Sequence, residues 1–292
     1  MEVRFLRIGE DAQWFECLGE AGTGLTGDPD FNPRCHIVAE EAGRFIGAME
    51  LALEPPLVAV LLNPTVRTSI AAGAVLKDMV DRGLAVAREA RLPKVRLMVY
   101  GSNPGQGELG RSLPSIGFCL AMTKRVYRLG LPFNMPRPRR LEEIQLRSLR
   151  DLSDERFTEI YAQVFLPETN VEVISPAEDF AEIKSFAINT GAFDPYTWFA
   201  AFLRDQPIGI TLPQRHDRAN KTGSNFYLGV VAGKRGKGFG TALQYYAVQK
   251  LLEWKVRTVI GSTGIANEAM ARIFRAFGYE PALLQDIYYY RH

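Results

Sequence analysis

The segment from Phe226 to Leu243, FYLGVVAGKRGKGFGTAL, constrains this chain more than any other stretch. An apolar, β-rich run leads into a loop of glycines and cations, and an amphipathic segment follows. Four apolar residues mark one helical face of that segment: Leu243, Ala247, Leu251 and Trp254. The pattern predicts a strand, a loop and a helix. Because the first N–H groups of a helix lack internal partners and carry positive partial charge, such a loop is suited to binding phosphate.

Two common phosphate-binding motifs do not fit this loop. A P-loop needs a lysine directly after its last glycine, where this chain has Phe239. A dinucleotide fingerprint that begins at Gly236 needs a third glycine where this chain has Thr241. The remaining pattern, Arg-x-x-Gly-x-Gly, consists of Arg235, Gly238 and Gly240, with Lys237 adding positive charge.

A second block, NEAMARIFRAFGY, begins at Asn267 and ends at Tyr279. Asn267 is predicted to cap a helix, and Gly278 is predicted to end it. Together, the loop and this block resemble the two sequence blocks of the GCN5-related N-acetyltransferase (GNAT) family. That family transfers an acetyl group from acetyl-coenzyme A to an amine. The resemblance covers residues 226–279.

The resemblance implies a cofactor site without a metal ion. In this family the sheet splays beside the strand, so backbone groups of Leu228 to Val230 would pair with the pantetheine arm, and the glycine loop would bind the pyrophosphate. The implied cofactor-binding residues are Leu228, Gly229, Val230, Arg235, Gly236, Lys237, Gly238, Phe239, Gly240, Thr241, Asn267 and Phe274.

The usual proton-transfer positions of the family are empty. A Glu is common five residues before the Asn, and a Tyr seven residues after it; this chain has Ser262 and Phe274. The acceptor could bind as a neutral amine, another group could act, or the protein could bind acyl-coenzyme A with little catalysis. The catalytic residues are therefore unassigned, with four weak candidates: Tyr279, Glu172, His216 and Tyr227.

An internal repeat predicts a duplicated domain. FIG at 45–47 recurs as PIG at 207–209, and GF at 117–118 recurs as GY at 278–279, at nearly constant offset. Arg67 aligns with Arg235, but the two positions that correspond to loop glycines hold Ile70 and Ala72. We therefore expect a degenerate copy at 1–132 and a copy with an intact acetyl-coenzyme A loop at 133–292.

The order of predicted strands and helices favours an α/β fold with a mixed sheet. Each tandem GNAT-like domain is expected to contain a mostly antiparallel mixed sheet flanked by helices. Strands are predicted at 226–231 and 256–262. A helix capped by Ser153 is predicted to have an apolar face of Phe157, Ile160, Tyr161 and Val164, and Pro176 is predicted to begin the next helix. The closing segment 287–290 is predicted to be a packed strand.

Composition narrows the function. Lys and Arg number 35 and Asp and Glu 33, a net charge of +2 that argues against a dedicated nucleic-acid-binding protein. Apolar runs are too short to span a bilayer, the N-terminus lacks a signal-peptide core, and the three cysteines form no paired motif, so we expect a cytoplasmic location. We predict an acetyltransferase, monomeric or homodimeric, that uses acetyl-coenzyme A and an amine of a small molecule or protein terminus. The alternatives are an acyl-coenzyme A-binding protein and a non-enzymatic scaffold.

Overall fold

The structure, a computed structural model, describes residues 1–18, 36–54, 58–67, 72–101, 108–132, 135, 137–139, 141–165, 175–189, 191–217 and 221–290. The chain forms two compact units. Unit 1 comprises Met1–Lys124 and Leu283–His292, and unit 2 comprises Arg125–Ala282. The domain boundary between 132 and 133 stays a prediction; the compact units differ from it by placing the C-terminal strand in unit 1.

Unit 1 contains a mixed sheet with helix α2 packed on one face. Its elements are β1 (Glu2–Phe5), α1 (Asp11–Leu18), β2 (His36–Glu41), β3 (Arg44–Glu54), β4 (Val58–Val66), α2 (Ala72–Glu89), β5 (Lys94–Gly101), α3 (Glu108–Ser112) and the first part of β6 (Phe118–Gly130). Strands β1 to β5 pair in chain order, with β4 and β5 parallel and the other pairs antiparallel. Val75, Leu76 and Met79 of α2 are buried against β3 and β4.

Unit 2 repeats this plan. Its elements are β7 (Gln145–Ser148), α4 (Asp154–Val164), α5 (Pro176–Asn189), β8 (Phe199–Leu203), β9 (Gln206–Asp217), β10 (Thr222–Val230), α6 (Phe239–Glu253), β11 (Thr258–Gly264), α7 (Glu268–Ala276) and the start of β12 (Glu280–Tyr290). Strands β7 to β11 pair in chain order, and β10 and β11 are parallel. The predicted mixed α/β fold is confirmed.

The C-terminal strand completes unit 1. Leu284 pairs with Gly101 and Tyr289 with Arg96, so β12 lies antiparallel beside β5. Tyr288 is 3% exposed in the core of unit 1, and Tyr290 packs against Phe118. The prediction of a packed closing strand is confirmed.

Two predicted helix starts are confirmed, while the predicted first residues of two strands were wrong. Ser153 Oγ accepts the N–H of Arg156 at 3.2 Å and caps α4, and Pro176 begins α5. The strand predicted to start at 226 begins at Thr222, because its first residues pair with β11. The strand predicted from 256 begins at Thr258, because the N–H of Val256 still donates to the end of α6.

Neither unit contains a membrane-spanning helix in its described part, since no helix there is long and apolar enough to cross a bilayer. Cys17 and Cys119 are free thiols, and Cys35 lies outside the described residues.

Candidate functional site

A β-bulge in β10 shapes the candidate site. Asn225 pairs with Pro213 and Leu228 with Thr211, so β10 contains one residue more than β9 across this interval. A bulge leaves part of the ladder unpaired and bends the strand. The Asn225 side chain compensates, because its Oδ1 accepts the backbone N–H of Leu212 at 3.1 Å.

The sheet is open beside the last residues of β10. Parallel pairing of β10 with β11 covers Thr222–Ser224. Within 221–290, where every residue is described, the two strands form no further pairs beyond Ser224. The N–H of Val231 donates to Ile208 on β9 at 2.9 Å. Because backbone groups of successive strand residues point to opposite edges, the N–H of Val230 faces the open edge.

Gly229 allows close packing beneath this open edge. A Cβ atom at Gly229 would lie 2.7 Å from Val164 Cβ on α4 and 3.0 Å from Tyr227 Cε1. A side chain here would therefore push α4 and Tyr227 away from the strand.

The glycine loop leaves space in front of helix α6. Gly236 and Gly238 have φ of +73° and +85°, which favour glycine, and a Cβ at either would meet nothing within 4 Å. Gly238 is the N-cap, and the first helical hydrogen bond runs from the N–H of Ala242 to Gly238 O at 3.2 Å. The N–H groups of Gly240 and Thr241, which precede Ala242 in the first turn, therefore have no acceptor within the helix.

Gly240 has a different role from the other loop glycines. Its Cβ would lie 3.0 Å from Ile273 Cδ1, so the absence of a side chain lets α7 pack against the start of α6. Phe239 is 1% exposed and anchors the same turn in the core. Thr241 follows as a half-buried residue of the first turn.

The two loop cations bind backbone carbonyl groups. Arg235 Nε donates to Val230 O at 2.9 Å, and its Nη2 donates to Val164 O at 3.4 Å. Lys237 Nζ donates to Gly233 O at 3.1 Å. Both side chains are exposed, so their charges remain beside the open helix start. Sequence analysis missed that Arg235 also ties β10 to α4.

Asn267 and Phe274 occupy different environments. Asn267 Oδ1 accepts the N–H of Met270 at 3.1 Å, which confirms the predicted helix cap. Phe274 is 3% exposed, and its ring lies 4.9 Å from that of Tyr127 and 4.8 Å from that of Tyr279. This packing gives no support to a cofactor-facing role for Phe274, which stays a prediction.

Tyr279 belongs to a buried hydrogen-bond chain. It is 4% exposed, its hydroxyl accepts from Gln244 Nε2 at 2.8 Å, and Asn225 Nδ2 donates to Gln244 Oε1 at 3.0 Å. Burial raises the pKa of the Tyr279 hydroxyl, although the bond from Gln244 opposes this. The chain connects α6 with the bulge, so Tyr279 supports the site from within the core.

The structure does not bring His216 to the loop. His216 Nε2 is hydrogen-bonded to Ser224 Oγ at 2.7 Å, near the start of β10. Gly209, in contrast, pairs with Val230. At about 3.3 Å per residue, the strand places His216 about 23 Å beyond Gly209. Desolvation lowers the pKa of the His216 ring. Glu172, another weak candidate, lies outside the described residues.

Sequence analysis named Tyr227 as a weak candidate but missed the cluster that it forms with a second phenol, Tyr161, and the carboxylate of Asp179. Tyr161 of α4 is fully buried, donates to Asp179 Oδ2 of α5, and lies 4.9 Å from the half-buried ring of Tyr227. Burial, then Tyr227 and Asp179, raise the pKa of Tyr161. Tyr161 was predicted only as an apolar helix position, and no sequence pattern linked it to Asp179.

The described residues include no group of three His, Cys, Asp or Glu side chains suited to a metal ion. Residues 148–279 match the model of the family described as "Acetyltransferase (GNAT) family". No curated protein matches the chain.

Solved structures are similar over nearly the whole chain. One is a GCN5-related N-acetyltransferase from Sphaerobacter thermophilus, with a TM-score of 0.68 and 17% identity, over 99% of this chain and 94% of that chain. Another is a tandem GNAT protein from the clavulanic acid biosynthesis pathway, with a TM-score of 0.60 and 16% identity, over 99% and 98%. At these identities, the likeness shows the fold. By the matched family model, residues 148–279 are a domain of the GNAT acetyltransferase family.

Proposed function

We propose that unit 2 binds acetyl-coenzyme A and transfers the acetyl group to an amine of a small molecule or protein terminus. Membership of the GNAT family supports acyl transfer from an acyl-coenzyme A. The observation that carries the finer proposal is the open edge of β10, which leads directly to the start of α6, where the N–H groups of Gly240 and Thr241 have no acceptor within the helix and the space before Gly236 and Gly238 is empty.

The pyrophosphate binds at the start of α6. The N–H groups of Gly240 and Thr241 donate to it, and the helix dipole favours its negative charge. Arg235 and Lys237 add positive charge from the loop. Asn267, at the start of α7, lies where the resemblance places contact with the pantetheine or pyrophosphate.

The pantetheine arm extends β10 as an added strand. Backbone groups of Leu228 on the open edge pair with its amides, and the glycine at 229 keeps the strand close to α4. The N–H of Val230 is suited to polarise the thioester carbonyl, because it is a fixed donor at that edge. Holding the amine against this carbonyl removes much of the entropic barrier.

Proton removal is assigned to Tyr227, Tyr161 and Asp179. As the acceptor nitrogen attacks, its proton passes to the oxygen of Tyr227, the proton of Tyr227 passes to Tyr161, and that of Tyr161 passes to the Asp179 carboxylate. The bond from Tyr161 to Asp179 supports the last transfer. The raised pKa of Tyr161 favours a concerted transfer without a lasting tyrosinate. The departing thiolate takes a proton from solvent.

The second candidate is acyl-coenzyme A binding with little catalysis. It is favoured by Ser262 and Phe274, which lack the carboxylate and hydroxyl common at these positions. A scaffold role would require no cofactor binding at all.

The two functions are separated by following thiol release from acetyl-coenzyme A with a panel of primary amines. The proposal predicts amine-dependent release, lowered about 100-fold or more in Tyr227→Phe and Asp179→Asn with acetyl-coenzyme A affinity unchanged. Tyr245→Phe, a phenol of α6 outside the cluster, is the matched control and is expected to keep full activity. Acetyl-coenzyme A binding without amine-dependent release would support the binding-only function.

A further inference from the structure

Unit 1 has its own bulge and opening, away from the proposed acetyl-coenzyme A loop. Ala48 pairs with Thr65 and Glu50 with Leu62, so β4 contains one extra residue across this interval. Parallel pairing of β4 with β5 ends at Leu62, opposite Met98. Beyond that pair, the described residues show an open interval between the two strands.

The Glu50 side chain is buried near this opening, and one of its two carboxylate oxygens has no hydrogen-bond partner among the described residues. It is 6% exposed, and its Oε1 has no partner among the described residues. A buried carboxyl group without a partner is costly in a protein interior. Desolvation raises the pKa of Glu50 to about 7, so at neutral pH the charged and neutral forms are both populated.

A second unpaired acceptor lies in the bulge itself. Asn63 directly follows Leu62, the partner of Glu50, and has a φ of +50°. Its Oδ1 is buried and has no partner among the described residues. A side chain at a bulge is re-aimed relative to the regular strand, and Asn63 is the first residue of β4 beyond its last pair with β5.

Tyr100 and Gln285 complete the polar set. They face each other on β5 and β12, and Gln285 Nε2 donates to the Tyr100 hydroxyl at 2.6 Å. Burial raises the pKa of Tyr100 to about 12, and the charge of Glu50 adds to this shift, which shows that the two groups interact. The amide of Gln285 is therefore already hydrogen-bonded to Tyr100, whereas Glu50 Oε1 and Asn63 Oδ1 have no donor among the described residues.

We propose that unit 1 binds a small primary ammonium group in the opening between β4 and β5, held by the Glu50 carboxylate and Asn63 Oδ1. An ammonium ion supplies several N–H donors, which two unpaired acceptors require. Its positive charge compensates the buried carboxylate, and a charge-assisted hydrogen bond is stronger than a neutral one. A neutral alcohol would satisfy one acceptor and leave the charge uncompensated. This site is separate from the function proposed for unit 2 and does not depend on it.

The test is a titration of the full-length protein with propylammonium chloride, followed in ¹H–¹⁵N spectra at about pH 8, above the Glu50 pKa, and at constant ionic strength. The proposal predicts saturable shifts of amides in β3, β4 and β5. Tetramethylammonium chloride, which has the same charge but no N–H donor, is the matched control probe and is expected to produce none.

Two variants make the test specific. Glu50→Gln keeps the shape and removes the charge, while Asn63→Gly removes Oδ1 at a positive φ that glycine adopts readily. Each is expected to weaken propylammonium binding about tenfold or more. The proposal is overturned if propylammonium gives no saturable shifts, if tetramethylammonium gives the same shifts, or if both variants bind propylammonium like the wild type.

Discussion

Units 1 and 2 contain the same framework with different side chains at its opening. Each has a hairpin, a third strand with a one-residue bulge, a helix and a parallel strand. Each also has an arginine after the bulged strand that binds a carbonyl in the last turn of the unit's first helix, α1 or α4. Arg67 Nε donates to Cys17 O at 2.9 Å, and Arg235 Nη2 donates to Val164 O at 3.4 Å. The arginine is therefore part of the framework in both units.

The difference lies in what faces the opening. In unit 2, Asn225 is paired with the backbone and with Gln244, and the N–H groups of Gly240 and Thr241 follow a glycine loop without an acceptor within the helix. In unit 1, Glu50 and Asn63 retain unpaired acceptors. One framework thus presents donors in one unit and acceptors in the other, which suits an anion and a cation respectively. Function depends on these few groups and not on the shared fold.

The largest expected effect comes from removing the C-terminal strand of unit 1. A chain that ends at Ala282 loses most of β12, one of the two strands that pair with β5, together with the buried Tyr288. The expected cost in the free energy of unfolding is on the order of 5 kcal/mol or more. Hydrogen exchange should then accelerate strongly in β5 and much less in β9 and β10. A chain that ends at Tyr290 is the control and should behave like the wild type. Equal loss of protection in both units would contradict the assignment of the C-terminal strand to unit 1.

Glu50→Leu should stabilise unit 1 in a pH-dependent way, because Leu212 occupies the corresponding position of unit 2. The raised pKa of about 7 means that the folded wild type binds a proton more tightly than the unfolded chain. Wild-type stability should therefore fall between about pH 4.5 and pH 7, by about 3 kcal/mol. Urea denaturation near pH 5 and pH 8 should show this fall in the wild type and its loss in Glu50→Leu. An identical pH dependence of the unfolding free energy in both proteins would show that protonation of Glu50 is not its cause.

A smaller effect distinguishes the two arginines. Arg67→Ala and Arg235→Ala each remove hydrogen bonds to carbonyl groups, and each should cost about 1–2 kcal/mol of stability, measured by thermal unfolding. Only Arg235→Ala should also weaken acetyl-coenzyme A binding, because it removes a positive charge beside the start of α6. A similar loss of affinity in Arg67→Ala would contradict the proposal that acetyl-coenzyme A binds to unit 2 alone.

The sequence predicted those features that depend on local order. The glycine loop, the caps at Ser153 and Asn267, and the alternation of strands and helices all follow from neighbouring residues. The repeat also predicted that two units would share a plan. Local signals sufficed because glycine spacing and capping residues act within one turn of the chain.

Contacts between distant segments could not be predicted. Nothing in the sequence links Tyr161 with Asp179, or Glu50 with Tyr100, because each pair is brought together by strand register and helix packing. His216 was a candidate because of its side chain alone, and the length of β9 separates it from the loop. The pairing of β12 with β5 likewise depends on tertiary structure.

The most direct measurement of the central claim is a calorimetric titration of acetyl-coenzyme A into the wild type and Gly238→Ile. The substitution fills the open space before α6 and opposes a φ of +85°. Ala74→Ile, at an exposed position in the first turn of α2, is the control in unit 1. We expect micromolar binding by the wild type and the control, about −8 kcal/mol, and loss of binding in Gly238→Ile. Undiminished binding by folded Gly238→Ile, or no binding by the wild type, would contradict the account.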